Sequence, residues 1–370
     1  MNSCRWEEGL AHLGEEVPEF LDSLLSDGTR NVLYIAGAGF DPRSSQLPSI
    51  VAKNGVSRRG IFIREERPNP DYELVRRGDD NAEVLGRLYP TSDVISVHIF
   101  DEEHAVVGGQ SVCLKIRDCL SDSQLNEFTD VIVDISALSI GVSFPIVGLL
   151  FEKLDQQDRI NLHVVAAASP QSGQFAEIAE FAERYQHPKG FKGDRSEADD
   201  TVRLWLPQLT SAKKRAFSNL YKELEPREVC PIFPFPCHEP RQVEQLLEDF
   251  SGELTDEWGV DLHQMLFAAE HDPLDLYRTI ARVHVTRKDV YDRAGRLSAT
   301  VLSPIGSKAQ AIGALMAALE FDLPVAYVEA RRFVPSQEPC SGELDSTRLV
   351  HVWLLGEVYP LHRSGASNDT

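Results

Sequence analysis

The sequence predicts an α/β, Rossmann-like fold: a mostly parallel sheet with helices on both faces. Three observations lead there. Five short runs, NVLYIAG (31–37), RGIFIRE (59–65), DVISVHIF (93–100), DVIVDIS (130–136) and INLHVVAAAS (160–169), are β-branched and near-continuously apolar. Strands buried on both faces read this way. Helical patterns separate several of them, notably 142–155 and 173–186, and alternation of this kind builds parallel sheets. Two strands also run directly into glycine- and serine-containing turns that open helices, the place where open α/β sheets take ligands.

The elements follow in order. Residues 5–27 carry the apolar spacing of one or two short helices, with Leu10, Leu13, Phe20, Leu21 and Leu25. The five strands and their helices come next. The polar, glycine-containing stretch HPKGFKGDRSEADD (187–200) reads as a linker or exposed loop. Beyond it lie a strand over 201–209, a helix near 211–224 and EVCPIFPF (228–235), whose prolines restrict it to an edge strand or extended loop. Proline opens a helix over 240–254, and another covers 273–289. A strand over 298–304, a helix over 307–321, a strand over 324–331 and a final apolar segment at 348–359 complete the chain.

The 370 residues suit two lobes, 1–190 and 201–370, or one large α/β unit. The formal net charge of −21 argues against a surface that binds nucleic acid in bulk. It suits a small anionic, nucleotide-like ligand held by a few local cations. No long apolar run predicts a membrane span, and the acidic N-terminus resembles no secretory signal, so a cytoplasmic protein is expected. The six cysteines form no CxxC pair, and no metal site is expected. No motif identifies a cofactor.

Three segments carry candidate chemistry. In LYIAGAGFDPRSSQ (33–46), Gly37 and Gly39 allow the chain to turn after the first strand. Asp41-Pro42 reads as a helix start, which places Arg43 beside free N–H groups and favours an anion. Proline at position 42 breaks the GxGxxG dinucleotide fingerprint, and no Walker A loop is present. In VLSPIGSKAQAIG (301–313), Ser303, Gly306, Ser307 and Lys308 cluster at another helix start, with Gln310 one turn in. A lysine there conflicts with the helix dipole, and an anionic ligand relieves that conflict. Asp134, in the apolar run VIVDIS, is costly to bury unless paired.

Asp41, Asp134 and Glu329 are the candidate bases if a reaction is catalysed. Glu270, His271 and Asp272 read mainly as a helix cap before Pro273, and His98 and His163 as core histidines. No GxSxG, HExxH or paired CxxC motif is present.

The strand–SPIGSKAQAIG–helix segment resembles the ligand loop of CARF domains, the Rossmann-like sensors of CRISPR-associated proteins, and of their SAVED relatives. The turn SPIGSK stands where that family carries a Gly/Thr-rich turn ending in Lys or Arg. The resemblance covers two short segments and implies that Ser303, Gly306, Ser307 and Lys308 hold phosphates of a cyclic oligonucleotide. Gly37, Gly39 and Asp41 would line the first loop. The expectation is a nucleotide-binding sensor or regulatory protein of a prokaryotic antiviral defence system, reporting to a protein partner. A nucleosidase-like hydrolase using the same crevice and a scaffold subunit of a larger complex are the alternatives.

Overall fold

The computed structural model describes residues 4–53, 56–155, 159–167, 175–193, 201–336 and 348–359. Its strands are β1 (Leu10–Leu13), β2 (Asn31–Gly37), β3 (Ser57–Glu66), β4 (Ser92–His98), β5 (Asp130–Asp134), β6 (Asn161–Ala167), β7 (Ala176–Phe181), β8 (Val202–Pro207), β9 (Glu228–Val229), β10 (Ile232–Pro234), β11 (Leu266–Ala268), β12 (Ser298–Ser303), β13 (Ala330–Pro335) and β14 (Leu349–Leu355). The α-helices are α1 (Glu16–Leu25), α2 (Gln46–Ala52), α3 (Tyr72–Leu88), α4 (Gly108–Cys119), α5 (Asp122–Leu125), α6 (Ile140–Leu154), α7 (Lys214–Leu224), α8 (Gln242–Asp249), α9 (Pro273–Arg293) and α10 (Lys308–Phe321).

Seven strands form the large sheet, in the order β1-β14-β6-β5-β2-β3-β4. From β6 to β4 the neighbours are parallel, while β14 and β1 close one side in antiparallel fashion. The chain starts this parallel block at β2, moves outward to β3 and β4, then crosses back to β5 and β6. Strand order therefore reverses between β2 and β5, the topological switch point where such sheets open a ligand crevice.

Side-chain alternation explains why the central strands are apolar throughout. Leu33 and Ile35 of β2 join Ile61, Ile63, Val131 and Val133 in a core shared with α4, α6 and α10. Their neighbours Val32, Tyr34 and Ala36 point the other way, into a core with α1, α2 and α3. Both faces are thus covered, and a strand with no solvated face keeps no polar alternation.

A smaller parallel sheet runs β12-β8-β9, and a bridge from Gln208 to Ile232 connects its edge to the parallel pair β10–β11. Trp205, Phe217, Phe250 and Trp258 form the core beneath α7 and α8. The two halves do not part at 190–201. Strand β14 lies in the large sheet, and Leu204, Leu206 and Leu302 of the small sheet share one apolar core with α9, α10 and the large sheet. Helix α10 is buried almost all round because it lies inside that shared core.

Four expectations change. Residues 176–181 form β7, antiparallel to β13, where the sequence pattern suggests a helix over 173–186. Ala-Glu-rich AEIAEF favours helix by propensity, but Ile178 pairs with Phe333, and partner pairing decides. Leu10–Leu13 is a strand on the edge next to β14. The late strand begins at Ala330, with only single bridges at Val325 and Tyr327 before it. His98 is exposed at the end of the edge strand β4, whereas His163 is fully buried. Residues 168–174, 194–200 and Cys340 lie outside the described residues.

Candidate functional site

A cavity of about 510 Å³ opens at the switch point, within the usual size range of small-molecule sites. The β2–α2 loop supplies Gly39, Phe40, Asp41 and Arg43, and the end of β3 supplies Glu65 and Arg67. The β5–α6 loop contributes Ser136 to Ile140, the β12–α10 loop Pro304 to Lys308, and the start of α7 Lys213. Tyr327, Glu329 and Phe333 complete it from the β13 side. The three loops singled out in the sequence converge here.

The first loop is held from within. Asp41 caps the 3₁₀ turn Pro42–Ser45 by accepting from the N–H of Arg43. The same carboxylate accepts from the Arg43 guanidinium at 3.0 and 2.5 Å, and that guanidinium also donates to the carbonyl of Ala167. Asn81 of α3 donates to the carbonyls of Gly39 and Asp41 and fixes the turn. Gly37 packs outside the cavity: a Cβ there would stand 2.7 Å from the carbonyl oxygen of Ala137. Glycine is therefore needed for the close approach of two loops. Gly39 faces open space.

Asp134 lies beneath the floor. It is buried and accepts from the N–H and hydroxyl of Ser136 and from the hydroxyl of Tyr34. Burial raises its carboxyl to about 6, against the pull of these bonds and of Arg43. Its oxygens are taken up by the loop it braces. Ser303 has the same character, bonded to the Trp205 indole and the Ala326 carbonyl. Gln310 is buried behind Gly306. Ser307 caps α10 as expected, accepting from the N–H of Gln310.

Glu65 stands at the end of the second parallel strand, where dinucleotide-binding sheets place a ribose-binding acid. Here its oxygens are engaged by Arg67 at 2.8 Å and by the N–H of Ser139 at 2.7 Å. Arg67 also bonds Glu329 at 2.9 Å and the Ala330 carbonyl. Arg331, adjacent in sequence, turns instead to Glu180. Glu329 is 2% exposed, and burial raises its carboxyl despite Arg67. Burial raises the Tyr327 phenol, and the neighbouring Glu329 carboxylate pushes it up further.

The lysines contrast with these arginines. Lys308 Nζ donates to the carbonyl of Leu138, and Lys213 Nζ to the carbonyl of Ile305 at 3.4 Å. Among the described residues neither has a carboxylate within ion-pair distance. Burial, then the charges of Arg43 and Lys213, pull Lys308 down to about 8. Burial and Arg43 pull Lys213 to about 8, with Glu329 opposing. The N-termini of α6 and α10 face the same space: Ser139 and Ser307 are their caps and both line the cavity. Ser139 Oγ has no hydrogen-bond partner among the described residues.

The sequence reading does not single out Lys213, Arg67 or Glu65. Lys213 sits at the N-cap of α7, so the dipole conflict that marks Lys308 marks it too. Glu65 and Arg67 end an apolar parallel strand, as Asp134 does. Glu270 and His271 lie apart from the cavity lining, with Glu270 accepting from the His238 N–H, and Asp272 caps α9. No described helix is long and apolar enough to cross a membrane.

No family model and no curated protein matches the chain. Among solved structures it is similar to the cytoplasmic domain of a prokaryotic cation chloride cotransporter, at 12% identity and a TM-score of 0.24 over 86% of this chain and 98% of that one. It is also similar to an uncharacterised protein from Mycobacterium paratuberculosis, at 11% identity and a TM-score of 0.23 over 82% and 85% of the two chains.

Proposed function

We propose that the protein is a sensor or regulatory module that binds a small phosphate-bearing, nucleotide-like anion at the switch-point cavity. One observation carries the reading: among the described residues Lys213 and Lys308, which stand in the same cavity, have carbonyl partners only, and their proton affinities are pulled down to about 8. The cavity carboxylates Asp41, Glu65 and Glu329 offset part of this crowding of cations, but Asp41 and the two glutamates are already paired with Arg43 and Arg67, and cations left without an ion-pair partner of their own are unfavourable. A phosphate between them removes that repulsion and takes up the N–H groups of two helix N-termini as well.

Convergence of the three loops favours a ligand over a scaffold role. A nucleotide-processing hydrolase is the second reading, and Glu329 favours it as a cavity carboxylate of raised proton affinity. Asp41 and Asp134, fully engaged by local donors, serve it less well. A place in a prokaryotic antiviral system, inside the cell, fits a nucleotide sensor and belongs to the same proposal.

Thermal unfolding with inorganic phosphate, nucleotides and cyclic oligonucleotides tests it, on the wild type and on Lys308→Ala and Lys213→Ala. A bound ligand raises the melting temperature by mass action. The expected result is a rise with phosphate-bearing ligands that both variants lose. No rise with any of them overturns the proposal, and chemical change of a stabilising ligand on incubation selects the hydrolase.

A further inference from the structure

Resting on the anion reading, a second feature of the cavity narrows the ligand class. Four phenylalanines line it: Phe40 from the β2–α2 loop, Phe175 and Phe181 from the two ends of β7, and Phe333 from β13. All four are partly exposed. Phe40 and Phe333 meet with ring centroids 5.2 Å apart, and they come from elements far apart in sequence. The guanidinium of Arg67 lies 5.1 Å from the Phe333 ring centre, and that of Arg43 lies 5.8 Å from the Phe175 ring centre. The lysines enter from other elements, α7 and α10.

The cavity therefore offers two kinds of group: cations and helix N-termini, and partly exposed rings with guanidinium groups beside them. Inorganic phosphate or a sugar phosphate uses only the first. Apolar rings left partly wet inside a cavity gain by covering with a flat, polarisable group. Stacking on phenylalanine is tolerant of which base is presented, since every base has a π-face.

We infer that the ligand is a nucleotide with its base intact, that the base packs against the Phe40–Phe333 pair, whose rings are tilted 57° to each other so that it stacks on one and meets the other edge-on, and that Lys213 and Lys308 hold its phosphate. The site accepts purine and pyrimidine alike, with purines favoured by ring area.

Calorimetric titration of the full chain tests this with adenosine 5′-monophosphate and its base-free counterpart, ribose 5-phosphate. The base is expected to tighten binding roughly 10- to 100-fold. Phe333→Leu and Phe40→Leu, which keep an apolar side chain, should remove most of that gain and leave ribose 5-phosphate unchanged. Circular dichroism of each variant establishes that it folds, and each variant checks the other. Equal affinity for the two ligands overturns the stacking inference and leaves the anion site standing. So does an equal loss for both ligands in the leucine variants. If neither ligand nor inorganic phosphate binds the wild type, the anion reading fails and the inference fails with it.

Discussion

Two buried polar clusters lie on the large sheet, and they treat their charges in opposite ways. Behind the antiparallel edge, four groups from four adjacent strands form a chain. His12 of β1 meets His351 of β14 through their Nδ1 atoms at 3.0 Å. His351 Nε2 meets His163 Nδ1 of β6, also at 3.0 Å, and His163 Nε2 reaches Asp130 of β5 at 3.2 Å. One tautomer set satisfies every contact with all three rings neutral: each histidine donates to the next, and the last donates to the carboxylate. Thr129, Asn161 and Arg30 supply further donors to Asp130. Burial alone would raise that carboxyl, yet His163 and the hydroxyl and amide donors bring it down to about 2.

The switch-point cavity is the counter-example. Its arginines are matched, but among the described residues its lysines face carbonyls, Ser139 Oγ lacks a partner, and the lysines' proton affinity is pulled down. The same burial penalty applies in both places. In the first it is met by the protein's own groups, so the cluster is structural. In the second, among the described residues, the two lysines are left without an ion-pair partner, as the proposed anion site requires.

The largest effect that separates them is on stability. Asp130→Ala leaves buried His163 and Asn161 without their acceptor, while Arg30 keeps Glu357. It should cost about 3–5 kcal/mol in urea unfolding, while any anion-induced stabilisation persists in the variant. Lys308→Met and Lys213→Met should do the reverse. Each removes a partly buried cation and keeps the aliphatic stem, so stability in the absence of ligand should hold or rise by about 1 kcal/mol. Stabilisation by phosphate ligands should disappear. If either methionine variant loses stability as Asp130→Ala does, the lysines are structural and the contrast collapses.

The sequence made one of these regions visible more readily than the other. Strands that are apolar from end to end and glycine-serine turns at their carboxyl ends are local signals, and β2, β5 and the Ser307–Lys308 turn were legible from them. The histidine chain was not. His163 reads as a satisfied core residue, but its partner His351 lies 188 residues away, and His12, the partner of His351, lies 339 residues from it. Only the antiparallel closure by β14 and β1 brings them together. Arg67 was missed for a similar reason, since its bond to Glu329 spans 262 residues. Likewise β7 exists because β13 pairs with it, and nothing in AEIAEF alone announces that partner.

The finest test of the contrast is pH. A lysine whose proton affinity falls from 10.5 in the unfolded chain to about 8 in the fold binds fewer protons folded than unfolded between those values. The two lysines therefore add stability as pH climbs from 8 to 10.5, against the opposite contribution of buried thiols such as Cys230, which the fold raises to about 11, so the stability of the wild type relative to the double variant Lys213→Met/Lys308→Met should rise across that range. The histidines act in a lower window. Burial, then neighbouring His163, hold His351 well below 6.5, and burial holds His12 below it as well. As pH drops below 6.5 the unfolded chain takes protons that the folded one refuses, so stability should fall, in the methionine variants as in the wild type. Anion binding should run against the alkaline trend. On the proposed reading a phosphate needs the charged lysines, so its stabilising shift should shrink above pH 8, where the lysines' own contribution to the ligand-free protein grows. A shift that stays constant to pH 10 would remove Lys213 and Lys308 as the anion's partners and leave Arg43 and Arg67, which keep their charge throughout that range, as the cations that hold it.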